Sequence, residues 1–192
     1  MNELKKNYVY YLIVNKKDID MMANDLFDGT YQLKYETKQA YFVLEKMLGY
    51  FGIQMPHIFI SKNGKPYFED SNIYFNYSHS KNYIACAISF YELGIDIEEC
   101  SRTISDSVAK RYLNGEKNMN KRIELWVKKE AYSKLRGFGL FMNFGDIYLD
   151  AILNKSIFIK DDKYMCSLYS ECENVSFKKI YYDEIFFDNN SK

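Results

Sequence analysis

Apolar and polar positions fall along this chain in short, mostly strand-length runs. Tyr8 to Val14 is a first apolar run. From Thr37 to Tyr50 the positions Ala40, Val43, Leu44, Met47 and Leu48 recur at three- and four-residue spacing, which predicts a helix broken by Gly49 and Gly52. Short strands are expected at His57 to Ser61, Ile73 to Tyr77, Tyr83 to Ser89 and Gly94 to Glu98, with Asn63-Gly64-Lys65-Pro66 as a turn. Their separations suit an antiparallel meander. After Cys100 the pattern turns helical, at Ser105 to Leu113 and at Lys121 to Arg136, and Gly137-Phe138-Gly139 ends the second helix. Strands return around Ile147 to Leu149, Ser156 to Ile159, Tyr164 to Ser170 and Val175 to Tyr182.

That order predicts an α+β fold. Lys81 to Ser89 and Asp162 to Ser170 share a polar pair, a Tyr, a Cys and a closing Ser, which points to an internal duplication. No linker-like tract divides the chain.

Composition narrows the class. With 192 residues, 47% of them apolar, the chain is long enough to bury a core. Nineteen Tyr and 14 Phe favour half-buried strands. Lys plus Arg equals Asp plus Glu at 26 each, which argues against a broad basic surface for nucleic acid. No apolar run approaches the roughly 20 residues of a membrane span. The spacing of Cys86, Cys100, Cys166 and Cys172 matches no zinc pattern, and no secretory leader is recognisable, so a cytoplasmic protein with reduced thiols is expected.

Four segments carry candidate chemistry. In Gly94-Ile95-Asp96-Ile97-Glu98 a strand would send Ile95 and Ile97 to the core and hold Asp96 and Glu98 on the other face. Two carboxylates so close suit a hard cation such as Mg²⁺, although a solvated acidic strand face has the same pattern. In Trp126 to Lys134 a helix would line up Trp126, Glu130 and Lys134, with Lys129 beside Glu130. A surface ion pair explains Glu130 and Lys134 equally well, but not the Trp on their stripe. Phe75-Asn76-Tyr77-Ser78-His79-Ser80 places His79 between two hydroxyls, a set able to bind phosphate or simply to form a turn. Gly64-Lys65-Pro66 presents one Lys at a turn, and His57 reads as structural.

Taken in order, GKP, FNYSHS, GIDIE and WVKKEAYSKLRGFGL resemble the motifs of the surfactin-type 4′-phosphopantetheinyl transferases. The resemblance covers Asn63 to Leu140. It implies a pseudo-dimer of two similar α+β halves, each a small antiparallel sheet with a packed long helix. Here the halves would be 1–98 and 99–192 of one catalytic unit, in a monomer. It also implies that 4′-phosphopantetheine moves from coenzyme A to a serine of an apo acyl or peptidyl carrier protein, leaving adenosine 3′,5′-bisphosphate. Such enzymes serve fatty acid or secondary metabolite biosynthesis.

By that resemblance Asp96, Glu98 and Glu130 hold Mg²⁺, for which Mn²⁺ can substitute. Glu130 receives the serine proton, directly or through a metal-bound water, and Lys134 neutralises the departing nucleotide. Lys129 steers a phosphate, while Lys65, Ser78 and His79 bind the nucleotide end. Relatives carry a basic cluster before the first helix. Here Asp18 to Tyr35 offers only Lys34, so Lys38 is assigned that role. The loop from Gly137 to Met142 would either touch the carrier or serve as a helix cap with a core anchor. A metal-dependent phosphohydrolase, or a carrier-binding relative without turnover, would use some of the same residues.

Overall fold

A computed structural model describes residues 2–20, 22, 34–137, 144–149, 152 and 154–187. In chain order the elements are β1 (Tyr8–Asn15), α1 (Tyr35–Tyr50), β2 (Ile58–Ile60), β3 (Pro66–Phe68), β4 (Tyr74–His79), β5 (Tyr83–Ser89), β6 (Leu93–Glu99), α2 (Asp106–Tyr112) and α3 (Met119–Arg136). They continue with β7 (Lys155–Lys160), β8 (Tyr164–Ser170), β9 (Ser176–Lys179) and α4 (Tyr182–Phe186).

The strands form one sheet of order β4-β5-β1-β9, another of order β6-β8-β7, and a β2-β3 hairpin. Alternation along the strands decides the layers. Tyr10, Leu12 and Val14 of β1, with Ile84, Cys86 and Ile88 of β5, face the apolar stripe of α1, including Ala40, Leu44 and Met47. The opposite face, Val9, Tyr11, Ala85 and Ala87, packs on Ile95, Ile97, Cys166 and Leu168 of the second sheet. Behind that sheet Met165 meets Ile123 and Val127 of α3, and Tyr169 meets Ala131 and Leu135. The outcome is helix, sheet, sheet, helix.

The repeated segments take equivalent places. Each is the strand β5 or β8 between two neighbours in its sheet. Tyr83 and Tyr164, which correspond in the repeat, bring their rings to 5.0 Å across the inter-sheet core. Both repeat cysteines, Cys86 and Cys166, are buried apolar side chains.

Several expectations need correction. The meander stops after β4 and β5. β5 already has β4 on one side and β1 on the other, so β6 finds no free edge and pairs with β8 instead. The sheets therefore do not divide at residue 98: β6 belongs to the second sheet, and β9 returns to the first. Because β9 runs parallel to β1, that first sheet is mixed rather than wholly antiparallel. Ile147 to Leu149 is not a strand; a 3₁₀ turn at Phe144–Asp146 precedes it, and no strand among the described residues pairs with it. The last strand stops at Lys179 because Glu184 Oε2 accepts from the Tyr181 amide at 2.7 Å and caps α4.

Candidate active site

One stripe of α3 explains how the site is assembled. Ile123, Val127, Ala131 and Leu135 recur every four residues and are buried against the second sheet. The adjacent row, Trp126, Glu130 and Lys134, is thereby held at the edge of that contact and lines a cleft of about 450 Å³. Asn118 fixes the start of the helix, its Oδ1 accepting from the Lys121 amide at 3.0 Å. Gly137 ends it at φ 67°, the left-handed conformation of a C-cap.

The helix can lie this close to β6 only because of Gly94. A Cβ at that position would sit 2.1 Å from the Ala131 carbonyl oxygen and 2.3 Å from the Leu135 nitrogen. Any side chain there drives α3 away from the strand, and Glu130 away from Asp96. Alternation along β6 buries Ile95 and Ile97 between the sheets and turns Asp96 and Glu98 into the cleft, as the strand pattern predicts.

The far wall is the end of β4, with Asn76, Tyr77, Ser78 and His79, and the rim is the turn Asn63–Pro66. Asn76 ties the wall to the floor, its Oδ1 accepting from the Ile95 amide at 3.0 Å. Ser78 Oγ donates to Asp96 Oδ1 at 2.7 Å, and Lys134 Nζ donates to the same oxygen at 2.8 Å. Asp96 Oδ2 is buried and makes no hydrogen bond. Glu98 is paired with Arg102, whose guanidinium also lies over the Trp126 ring at 4.9 Å.

Desolvation, and secondarily the negative charge of Asp96, raises the pKa of Glu130 against the opposing pull of Lys134 and Arg102. For His79, loss of hydration together with the nearby Lys16 ammonium outweighs Glu36 and lowers the pKa. The imidazole is therefore neutral at pH 7.

Of the residues expected from sequence, Lys65, Ser78, His79, Asp96, Glu98, Glu130 and Lys134 all border the cleft. Lys65, however, points its ammonium at Glu92 and at the Leu135 carbonyl, 3.3 Å away. Lys129 is a correction. It is 3% exposed and donates to the Tyr112 and Phe144 carbonyls at 2.8 Å each, so it anchors the segment after α3 instead of reaching the cleft. Lys38 sits half-buried on α1 and does not border the cleft either. Of the loop from Gly137 to Met142, only Gly137 lies within the described residues.

Two residues escaped the sequence reading. Arg102 follows β6 in an aperiodic turn and offers no local signal. Lys16, just after β1, is the N-terminal cation that acts most strongly on His79; it lies two residues before the stretch Asp18 to Tyr35.

Among the described residues no three His, Cys, Asp or Glu side chains already form a metal centre. The donor set nonetheless suits a hard cation. Asp96 keeps an unpartnered buried oxygen, and desolvation disfavours the charge on Glu130; an oxygen-seeking divalent ion would satisfy both.

The α+β fold and this cleft lined by carboxylates, a lysine and an arginine define the class of site, and comparison with known proteins gives the family. The family model for the 4′-phosphopantetheinyl transferase superfamily matches residues 92–181, which include Asp96, Glu98, Glu130 and Lys134. The chain is 30% identical over 173 residues to the 4′-phosphopantetheinyl transferase gsp of Aneurinibacillus migulanus, covering 70% of this chain and 72% of that protein. It is 31% identical over 118 residues to the 4′-phosphopantetheinyl transferase HetI of a Nostoc species, covering 51% of this chain and 50% of that protein. The chain belongs to the 4′-phosphopantetheinyl transferase superfamily, as a surfactin-type member. It is thus a 4′-phosphopantetheinyl transferase. No helix among the described residues is long and apolar enough to cross a membrane.

Proposed function

We propose that the protein takes 4′-phosphopantetheine from coenzyme A and attaches it, with Mg²⁺, to a serine of an apo acyl or peptidyl carrier protein, releasing adenosine 3′,5′-bisphosphate. The observation that carries this reading is Asp96. It is buried in the cleft, shares one oxygen between Ser78 and Lys134, and leaves the other free. Asp96, Glu98 and Glu130 would hold the ion, and Mn²⁺ would serve in its place. When bound, the ion offsets pyrophosphate charge as it spreads over the transferring phosphoryl oxygens.

The chain's own residues account for the rest. Serine Oγ bonds to the β-phosphorus, and the bond from that phosphorus to the nucleotide's bridging oxygen breaks. The serine proton goes to Glu130, whose raised pKa makes it a better acceptor at neutral pH than an ordinary carboxylate. Lys134, one turn along α3, places an ammonium for the departing bisphosphate. Ser78 and His79 face the nucleotide end, with Lys16 supplying positive charge beside His79 and Lys65 available if it leaves Glu92. Most of the rate then comes from positioning and electrostatics.

The proposal includes a monomeric, cytoplasmic enzyme of fatty acid or secondary metabolite synthesis. Intact-mass measurement of apo carrier proteins incubated with enzyme, coenzyme A and Mg²⁺ tests it. The expected result is a carrier heavier by one phosphopantetheine, lost in excess chelator and restored by Mg²⁺ or Mn²⁺. Unmodified carriers of both kinds would overturn the reading.

A further inference from the structure

The two carboxylates that β6 turns into the cleft, Asp96 and Glu98, each already have a cation of the protein's own. Lys134 holds Asp96, and Arg102 holds Glu98. These pairs take up charge that a divalent ion would otherwise neutralise. Arg102 is the more informative of the two, because three features fix its place. It is four residues beyond Glu98, its guanidinium carbon lies over the Trp126 ring at 4.9 Å, and it borders the cleft that also contains Asp96 and Glu130. Its side chain is 34% exposed, so solvent is open to it on one side when it leaves Glu98.

We infer that Arg102 is a displaceable counter-cation of the carboxylate cluster: it occupies Glu98 in the free protein and must move off before a divalent ion is held there. The inference rests on the metal-site reading given above. The physical argument is competition. A guanidinium and a divalent ion cannot both neutralise one carboxylate at close range without repelling each other. What draws Arg102 away is an anion in the same cleft, and a guanidinium fork matches phosphate oxygens as well as it matches a carboxylate. Metal and coenzyme A therefore bind cooperatively. By linkage, each raises the affinity for the other by the same factor.

The test is a Mn²⁺ titration of the purified protein, read by the electron paramagnetic resonance of free Mn²⁺, with and without coenzyme A. The parent should bind Mn²⁺ weakly alone and at least about tenfold more tightly with coenzyme A, a factor typical of a 1–3 kcal/mol coupling. R102Q should bind Mn²⁺ alone several-fold more tightly than the parent, and the cooperativity should shrink by the same factor. R102K, which keeps the charge without the planar fork, should fall between.

A second readout needs no variant. Trp126 is the sole tryptophan, so its emission should change when Mn²⁺ and coenzyme A together remove Arg102 from its face. R102Q binding Mn²⁺ no more tightly than the parent, or an unchanged emission in the parent, overturns the counter-cation role. In either case the metal reading survives as long as Mn²⁺ still binds. Absence of Mn²⁺ binding in every arm overturns both.

Discussion

Lys134 Nζ and Asp96 Oδ1 stand 2.8 Å apart and join α3 to β6 through one buried charge pair. Removing one partner strands the other. Lys134→Met should destabilise the free protein by about 1–3 kcal/mol, below the full value for a buried pair because the lysine is partly exposed. Adding Asp96→Asn should return most of that stability while transfer activity stays absent. Urea unfolding of the two single variants and the double variant measures the coupling. Full additivity would mean the pair contributes nothing.

Gly94 sets the spacing between β6, which carries Asp96, and α3, which carries Glu130. Gly94→Ala forces a methyl group against the Ala131 carbonyl. The expected outcome is a loss of about 1–3 kcal/mol, as for overpacking, together with a fall in kcat larger than the stability loss explains. Activity measured well below the melting transition separates the two. A fully active Gly94→Ala would show that α3 tolerates the displacement.

Lys129 supports the cleft from behind. It holds the Phe144 carbonyl, and the Phe144 ring stacks on Trp126 at 5.3 Å. Lys129→Met should lower the melting temperature and shift Trp126 emission, with KM for coenzyme A little changed. A selective rise in that KM with normal emission would instead restore the phosphate-steering role expected from sequence.

The pKa of His79 lies below the ordinary value of about 6.5. The unfolded chain therefore binds more protons, and the contribution of His79 to stability is present above that value and lost as pH falls through the folded pKa. An anionic phosphate favours the imidazolium, so coenzyme A binding should take up a proton, and affinity should rise as pH drops from 7 to 6. Calorimetry in buffers of different ionisation enthalpy detects the uptake. His79→Gln should remove its own share and leave only the proton uptake of the nucleotide.

Dephospho-coenzyme A tests the nucleotide end directly. Loss of one or two charge-assisted hydrogen bonds, at roughly 1.5–3 kcal/mol each, should raise KM by tens- to a thousandfold. Lys16→Met should erase more of that discrimination than Lys38→Met, since Lys16 acts more strongly on His79 than any other cation. The reverse order would return the assignment to Lys38.

Local periodicity made most strands, though not β3, the long helices and the Trp126, Glu130, Lys134 row legible, because each depends on neighbours within a turn or two. Lys129 was misplaced for a geometric reason: one residue is a rotation of about 100° on a helix, enough to leave the cleft. The sheet joined by β6 was not legible, since strand partners are settled by which edges remain free. Arg102 and Lys16 reach the cleft from turns, where no period announces direction. Gly94 stood inside a visible motif, but its purpose emerges only once Ala131 and Leu135 are seen against it.

The parallel pairing of β1 with β9 has a consequence for synthesis on the ribosome. Tyr8 emerges early, yet its partner Ser176 is made 168 residues later. At about 5–20 residues per second, the edge of β1 waits roughly 10–30 s for its cover. A nascent chain with an open strand edge for that long is exposed to pairing with its neighbours on a polysome. Slower translation of the second half would lengthen that exposure, so yield in a heterologous host should respond to synonymous codon choice between β6 and β9 even though the encoded enzyme is identical.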